Sequence, residues 1–356
     1  MECVLLGSGG MMPMPGRFLT SVMVRLQGQL YLFDAGEGCQ INLKKTKLGI
    51  KSLRMVAISH LHGDHCLGLP GLLMMRAQVP EAGPLTILGP PGIERFIRQL
   101  HESLAFFLNY PLSFLEWHEG CPEVAYQDDL VRILWGPLKH TTLCLGYRLE
   151  EHPRPGKFKT EAAKALGIPY GPLWGKLQRG ETVTLDRGEP IPPNLVLGPP
   201  RPGRKICYAV DTRPNKVLYR LCQDVDLAFL DGMFLPEHHE EAEAKGHMTA
   251  DDAARVAARA GARRAVLVHI SPRYTEEDME KFGYAAKKRF ENTEIKDLYK
   301  VQKLLGHESP SMTQRYAHHY SESLRDAVEV LDKSVTNVSQ SALSKVNQDP
   351  QVVEIK

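Results

Sequence analysis

Three histidines and an aspartate crowd into one short stretch, SHLHGDHCLGLPGLL, which spans Ser59–Leu73. His60, His62, Asp64 and His65 offer four nitrogen or oxygen donors within six positions. An extended chain sends the side chains at 60 and 62 in one direction, and Gly63 permits the turn that brings Asp64 and His65 back toward them. That is more than one tetrahedral zinc needs from a single loop, which argues for two metals sharing it. A purely structural zinc would more often recruit cysteine, and Cys66 points the other way in an alternating reading. The plain alternative is a solvated turn whose histidines are incidental.

The strand MVAIS delivers the chain to His60, and three further apolar runs end on a potential ligand. LVRILWGPLKH ends at His140, KICYAVDT carries Asp211 near its end, and RRAVLVH ends at His269. Taken singly, each is an ordinary surface histidine or turn aspartate. Their shared place at strand exits raises them together, because the ends of adjacent strands meet in space. Two metals would then have histidines on both sides and an aspartate able to bridge.

The elements that must hold these residues are short apolar runs closed by glycine or polar turns: ECVLLG, TSVMVRL, QLYLFDAG, LRMVAISH and LTILGP read as strands. GIERFIRQLHESLAFFL is periodic enough for a helix. HMTADDAARVAARAG is a capped one, with Thr249 as N-cap, Asp252 closing a capping box and Gly261 ending it. This mixture predicts an α/β layered fold. Residues 154–187 break the pattern: rich in glycine, proline and basic residues, they show one helical turn near Thr160 to Leu166 and read as an excursion from the core. After about residue 293 come two predicted helices, around 295–305 and 321–332, and then a polar tail.

With 356 residues, 44 Lys+Arg and 42 Asp+Glu, the chain is nearly neutral, so any nucleic-acid surface must be local. The excursion is such a place. Arg154, Lys157, Lys159, Lys164, Lys176, Arg179 and Arg187 face only Glu161, Glu181 and Asp186, with Tyr170 and Trp174 interleaved. A basic arm shaped by glycine and proline suits binding a folded RNA along its phosphates. The seven cysteines are scattered, odd in number and never paired as CxxC, so they read as core-filling thiols. No run of about 18 apolar residues predicts a membrane span. The start, MECVLLGSGG, reads as a strand rather than a leader, which places the expectation in the cytoplasm.

SHLHGDH is the HxHxDH signature of the metallo-β-lactamase superfamily. Together with LLGSGG, LFDAGEG, GPPGI, the GP-rich arm, VDTRP, GHMTA and HISPRY, it makes residues 1 to about 293 resemble ribonuclease Z, the tRNA 3′-processing endonucleases. The resemblance implies an αββα sandwich, two mixed β-sheets flanked by helices, with the basic arm inserted and a short helical extension (294–334) and polar tail (335–356) appended. It implies two Zn²⁺ per subunit, with Mn²⁺ as a possible substitute: His60, His62 and His140 on one, Asp64, His65 and His269 on the other, Asp211 bridging. A bridging water is the implied nucleophile, and Asp64 can orient it. His247 in GHMTA is implied as a proton donor beside the scissile phosphate. The arm, through Lys157, Lys159, Lys176 and Arg179, is implied to grip precursor tRNA, often from the other subunit of a homodimer, and Arg273 is a plausible phosphate contact. HxHxDH alone fixes only the superfamily, so another phosphodiesterase or small-ester hydrolase, or a nucleic-acid-binding fusion with a vestigial metal site, stands as the alternative.

Two stretches depart from the family. Leu230 and Asp231, in LDGMF, stand where histidine and glutamate are usual, so the support of the expected ligands could be altered. Val301 to Asp332 resembles the end of a tyrosine recombinase catalytic domain, with His307 and Tyr316 at that family's histidine and tyrosine positions. It is too short to build a strand-transfer site and reads as a fused fragment.

Overall fold

The protein is described by a computed structural model over residues 1–185 and 188–295; the expected extension, its recombinase-like segment with His307 and Tyr316, and Arg187 of the arm lie outside the described residues. The first half builds a sheet of six strands, β1 (Glu2–Gly7), β2 (Ser21–Leu26), β3 (Gln29–Phe33), β4 (Leu53–Ala57), β5 (Leu85–Gly89) and β6 (Leu112–Glu116), paired in that order. The first three are antiparallel to their neighbours and the last three continue parallel from β3. Parallel pairing needs crossovers, and these carry α1 (Cys39–Thr46), the single turn α2 (Gly63–Cys66), α3 (Gly68–Ala77) and α4 (Ile93–Leu104). α4 stops before the end of its predicted helix because Ala105 turns left-handed, with φ 48°.

A hairpin-rich stretch follows, β7 (Val124–Gln127), β8 (Val131–Leu138) and β9 (Cys144–Glu151), and then the arm. The arm holds α5 (Thr160–Ala165), α6 (Pro172–Gln178) and a two-strand ribbon, β10 (Val183–Thr184) with β11 (Pro190–Ile191). Its base closes where Arg154 pairs with Arg201 and Phe158 with Leu197, well past residue 187. α6 is an element the sequence reading lacks; Pro172 at its first turn, after Gly171, favours that start. Ala163, Ile168, Leu177, Val183, Ile191 and Val196 give the arm a small core of its own.

The chain then completes a seven-strand sheet with β12 (Lys205–Ala209), β13 (Leu227–Asp231), β14 (Ala265–Val268) and β15 (Thr293–Ile295), in the order β15-β14-β13-β12-β9-β8-β7. β15 runs across the position where the sequence suggests a boundary. α7 (Lys216–Cys222), α8 (His239–Lys245), α9 (Ala250–Arg259) and α10 (Met279–Lys287) complete this half, and α9 has the capping box expected of Thr249 and Asp252.

The two sheets face each other across one apolar layer, with Phe33 of β3 lying 6.1 Å from Tyr147 of β9 and 5.6 Å from Tyr208 of β12, centroid to centroid. A second layer packs α1, α3 and α4 on the first sheet; a third packs α7, α9 and α10 on the second. Both faces of β4 are covered, which is why it is mostly apolar: Met55 and Ala57 enter the layer between sheets, Leu53 and Val56 the helical one, and Arg54 bonds Gln29 and Asp128. This is the αββα sandwich. All seven cysteines are free, and among the described residues no helix is long and apolar enough to cross a membrane.

The close seam between α3 and the end of β3 depends on one glycine. A Cβ at Gly68 would lie 2.3 Å from the Gly36 carbonyl oxygen and 2.7 Å from that of Ala35. Gly68→Ala should therefore destabilise the fold by about 1–3 kcal/mol, the usual range for overpacking, read as a lower midpoint in urea unfolding.

Candidate metal centre

Strand exits from both sheets converge at one edge of the sandwich. β4 ends at Ala57, and the chain bends at Leu61 and His62, His62 itself extended (φ −66°, ψ 144°), before α2 turns Asp64 and His65 back. His60 and His62 share a side, with ring centroids 4.4 Å apart. His140 arrives from β8, Asp211 from β12 and His269 from β14. Asp211 and His269 both adopt left-handed backbone, at φ 49° and 62°. Residues with a Cβ avoid that conformation unless the surroundings impose it; here the paired strands before them do.

Donor atoms of His60, His62, His140 and Asp211 lie within 4.8 Å of one another, and those of Asp64, His65 and His269 form a second such group. Asp211 faces both. Its Oδ2 is 3.5 Å from His60 Nε2 and 3.7 Å from His140 Nε2, while its Oδ1 is 3.4 Å from His65 Nε2 and 3.2 Å from His269 Nε2. His65 Nε2 and His269 Nε2 are 3.2 Å apart, and Asp64 Oδ2 is 3.1 Å from His269 Nε2. Two donors at about 2.0–2.1 Å from one tetrahedral ion sit about 3.4 Å from each other, so these spacings fit shared cations. Two buried atoms of the centre, His140 Nε2 and Asp211 Oδ1, have no hydrogen-bond partner, which buried polar atoms rarely tolerate.

The electrostatics agree. Burial holds the pKa of His60 and His140 below the ordinary histidine range, leaving neutral rings with free lone pairs. Burial alone would raise Asp211, but His269 and His65 outweigh it and hold the carboxyl well below its usual range. Burial would likewise lower His65, yet Asp211 and Asp34 raise it well above, marking a place where positive charge is favoured.

Three of the ring nitrogens turned away from the centre are engaged, while His269 Nδ1 is buried without a partner. His65 Nδ1 meets Asp34 Oδ2 at 2.7 Å, His140 Nδ1 meets the Gly246 carbonyl at 3.2 Å, and His60 Nδ1 meets Ser59 Oγ at 3.0 Å. Such contacts fix which nitrogen faces a metal. Asp34 is the residue that sequence reasoning missed, although QLYLFDAG has the same form of apolar strand ending on a carboxylate. Fully buried, it also accepts from Ser59 N (2.6 Å), Ser59 Oγ (2.7 Å) and Tyr208 OH (2.6 Å).

His247 lies beside the centre, its ring stacked on that of His269 at 5.3 Å and 5.0 Å from that of His140. Its Nδ1 is 2.9 Å from Asp231 Oδ2. The unexpected Asp231 thus has a definite place. Buried at the end of β13, it also accepts from Thr212 N at 3.1 Å and Met233 N at 3.0 Å, while Leu230 packs in the helical core. Burial would lower the His247 pKa, but the Asp231 carboxylate raises it overall.

The remaining predicted residues stand apart from the cluster. Lys157, Lys159, Lys176 and Arg179 are exposed on the arm, where Arg179 pairs with Glu181 at 2.7 Å. Tyr170, 87% exposed, packs edge-on against Trp174. Arg273 makes a two-pronged contact with Glu241 (2.7 and 2.6 Å) and lies over the Phe234 ring, a pairing across 32 positions that spacing does not reveal.

Known proteins place this arrangement. "Anti-Pycsar protein Apyc1" matches residues 1–105, and a "Beta-lactamase superfamily domain" matches residues 193–270. Ribonuclease Z of Treponema denticola is 42% identical over 308 residues, covering 85% of this chain and 98% of its own. The chain belongs to the ribonuclease Z family. Ribonuclease Z of Methanosarcina acetivorans is 41% identical with the same coverage of both chains. Among solved structures, the human tRNase Z short form shares the fold with a TM-score of 0.62 at 24% identity, over 86% of this chain and all of that one. Membership in the ribonuclease Z family makes the chain a hydrolase of the metallo-β-lactamase fold that works with bound metal ions.

Because Asp34 orients His65, Asp34→Asn should weaken metal binding by roughly 10–100-fold. Competition against a chromophoric chelator measures this, and unchanged affinity would remove Asp34 from the centre's support.

Proposed function

We propose that the chain removes the 3′ trailer from precursor tRNA as a two-zinc endoribonuclease, leaving a 3′-hydroxyl on the tRNA, and acts as a cytoplasmic homodimer in which Mn²⁺ can replace Zn²⁺. The hydrolase runs through β15 to Ile295, past the boundary near 293 that the sequence suggests. The observation that carries the reading is Asp211, whose two oxygens face two different sets of donors. His60, His62 and His140 would hold one ion, Asp64, His65 and His269 the other, and Asp211 would be shared between them. Cations held there supply Lewis acidity toward water and neutralise phosphoryl charge.

The chain's own groups then handle the protons. Asp64 orients the attacking water and accepts its proton. The new oxygen–phosphorus bond forms as the bond to the 3′-oxygen of the tRNA breaks, so the trailer departs with a 5′-phosphate. His247 donates a proton from Nε2 to that 3′-oxygen, and Asp231 on Nδ1 keeps the ring protonated and aimed. The arm supplies grip at a distance: Ile168, Leu177, Val183, Ile191 and Val196 are spent on its own core, while Lys157, Lys159 and Lys176 are exposed and, among the described residues, without a carboxylate partner. Arg273 is a phosphate contact in this reading, released from Glu241 when RNA binds.

Precursor tRNA with a 3′ trailer should be cut beside the discriminator base, and a chelator should abolish the cut until Zn²⁺ or Mn²⁺ is restored. His247→Ala should lower kcat by about 10²–10⁴, the usual worth of a general acid. Asp231→Asn should lower it less and shift the pH profile. Deleting residues 156–180 should leave cleavage of bis(p-nitrophenyl) phosphate intact while raising KM for precursor tRNA. Neutralising Lys157, Lys159 and Lys176 should flatten the salt dependence of binding, its logarithmic slope falling by roughly 0.7–0.9 for each phosphate left without its lysine. Unchanged tRNA cleavage by the deletion would remove the arm from substrate binding.

A further inference from the structure

The loop leading from β1 to β2 carries five consecutive exposed apolar residues, Met11, Met12, Pro13, Met14 and Pro15. Water-facing loops are ordinarily filled with groups that hydrogen-bond, and contiguous exposed apolar surface usually marks a contact. This loop is fixed against the metal centre. Met11 adopts left-handed backbone at φ 66°, rare for a residue with a side chain. In that conformation its N–H donates to Asp64 Oδ2 at 2.6 Å. Gly10 before it lies so near His269 that a Cβ there would be 2.6 Å from Nε2. At the far end Met14 and Arg17 exchange two backbone hydrogen bonds of 2.9 Å, and Arg17, itself buried, donates to the Tyr274 carbonyl at 3.0 Å.

An apolar lip offers nothing to the phosphates that the centre acts on. It does fit the flat face of a base attached to the next nucleotide. Thioethers are polarisable, pack well against aromatic rings and adapt to any of them. Because every base has a π-face, such contact tolerates any sequence. The lip has no side-chain donor and only weakly accepting thioethers with which to read base edges.

We propose that Met11, Met12 and Met14 form a sequence-tolerant platform for the unpaired nucleobases that follow the scissile phosphate. This rests on the reading of the centre as an RNA phosphodiesterase. The platform holds the first bases of the trailer by their faces, while Asp64, bonded to the same loop, keeps the reacting phosphate in register with them.

The test compares the full-length protein with the variant M11S/M12S/M14S on precursor tRNA whose first two trailer nucleotides are intact or abasic. The wild type is expected to lose about tenfold or more in kcat/KM on the abasic trailer. The variant is expected to show a similar loss on the intact trailer and little further loss on the abasic one, the signature of a shared contact. Equal cleavage of intact and abasic trailers by the wild type overturns the platform, and does so even if the variant fails to fold. A variant that keeps the full abasic penalty also overturns it. If that variant in addition sediments as a smaller species, the lip is instead a contact between copies of the chain. Fluorescence anisotropy of labelled hexauridylate against its abasic counterpart reads the platform without turnover. Failure of the wild type to cut precursor tRNA, with a preserved preference for hexauridylate, would therefore overturn the proposed reaction and leave the platform standing.

Discussion

The buried carboxylate of Asp34 joins the two halves of the molecule at its working edge. It receives hydrogen bonds from Ser59 on the first sheet's side and from Tyr208 on the second, and it turns His65 toward the centre. A buried charge is tolerable only when surrounded by donors, so the sheets cannot slide at this edge without exposing an unmet carboxylate. Tyr147 of the second sheet adds a parallel tie, donating to the Ile58 carbonyl at 2.7 Å. The apolar layer between the sheets supplies cohesion; these polar ties supply the register on which the donor spacings depend.

Much of the centre was legible because a strand is a ruler. An apolar run that ends on histidine or aspartate places that residue at a sheet edge, and His140, Asp211 and His269 could be gathered on that ground alone. Asp34 ends a strand in the same way, but its partners Ser59 and Tyr208 belong to chain positions that only the packed sheets unite. Asp231 looked like a gap in a familiar pattern; its meaning lies in its contact with His247, sixteen positions away. α6 escaped notice because a short helix within a proline- and glycine-rich stretch has too few turns to show a period, and α4 ended early on a backbone conformation that alanine gives no reason to expect.

The arm separates two tasks that compete in most surfaces. Its Phe158, Trp174 and Leu177 side chains are turned toward its own interior, and its lysines toward solvent. A segment with its own core can present charge at a distance without borrowing rigidity from the main sandwich. Gly156 and Gly203 at its base lie against opposing backbone so closely that a Cβ would come within 1.9 and 1.7 Å of a carbonyl oxygen. The two crossing chains are therefore pressed together where the arm leaves the body.

Asp34, Asp211 and His269 all sit in left-handed backbone, each at a cost of about 1–3 kcal/mol. Together that is comparable to a large part of the roughly 5–15 kcal/mol by which a domain holds its fold. Glycine at any of the three would relieve the torsion and remove the side chain that makes the position useful. The centre thus stores mechanical tension that the sheets hold in check, and a chain selected only for endurance would discard it.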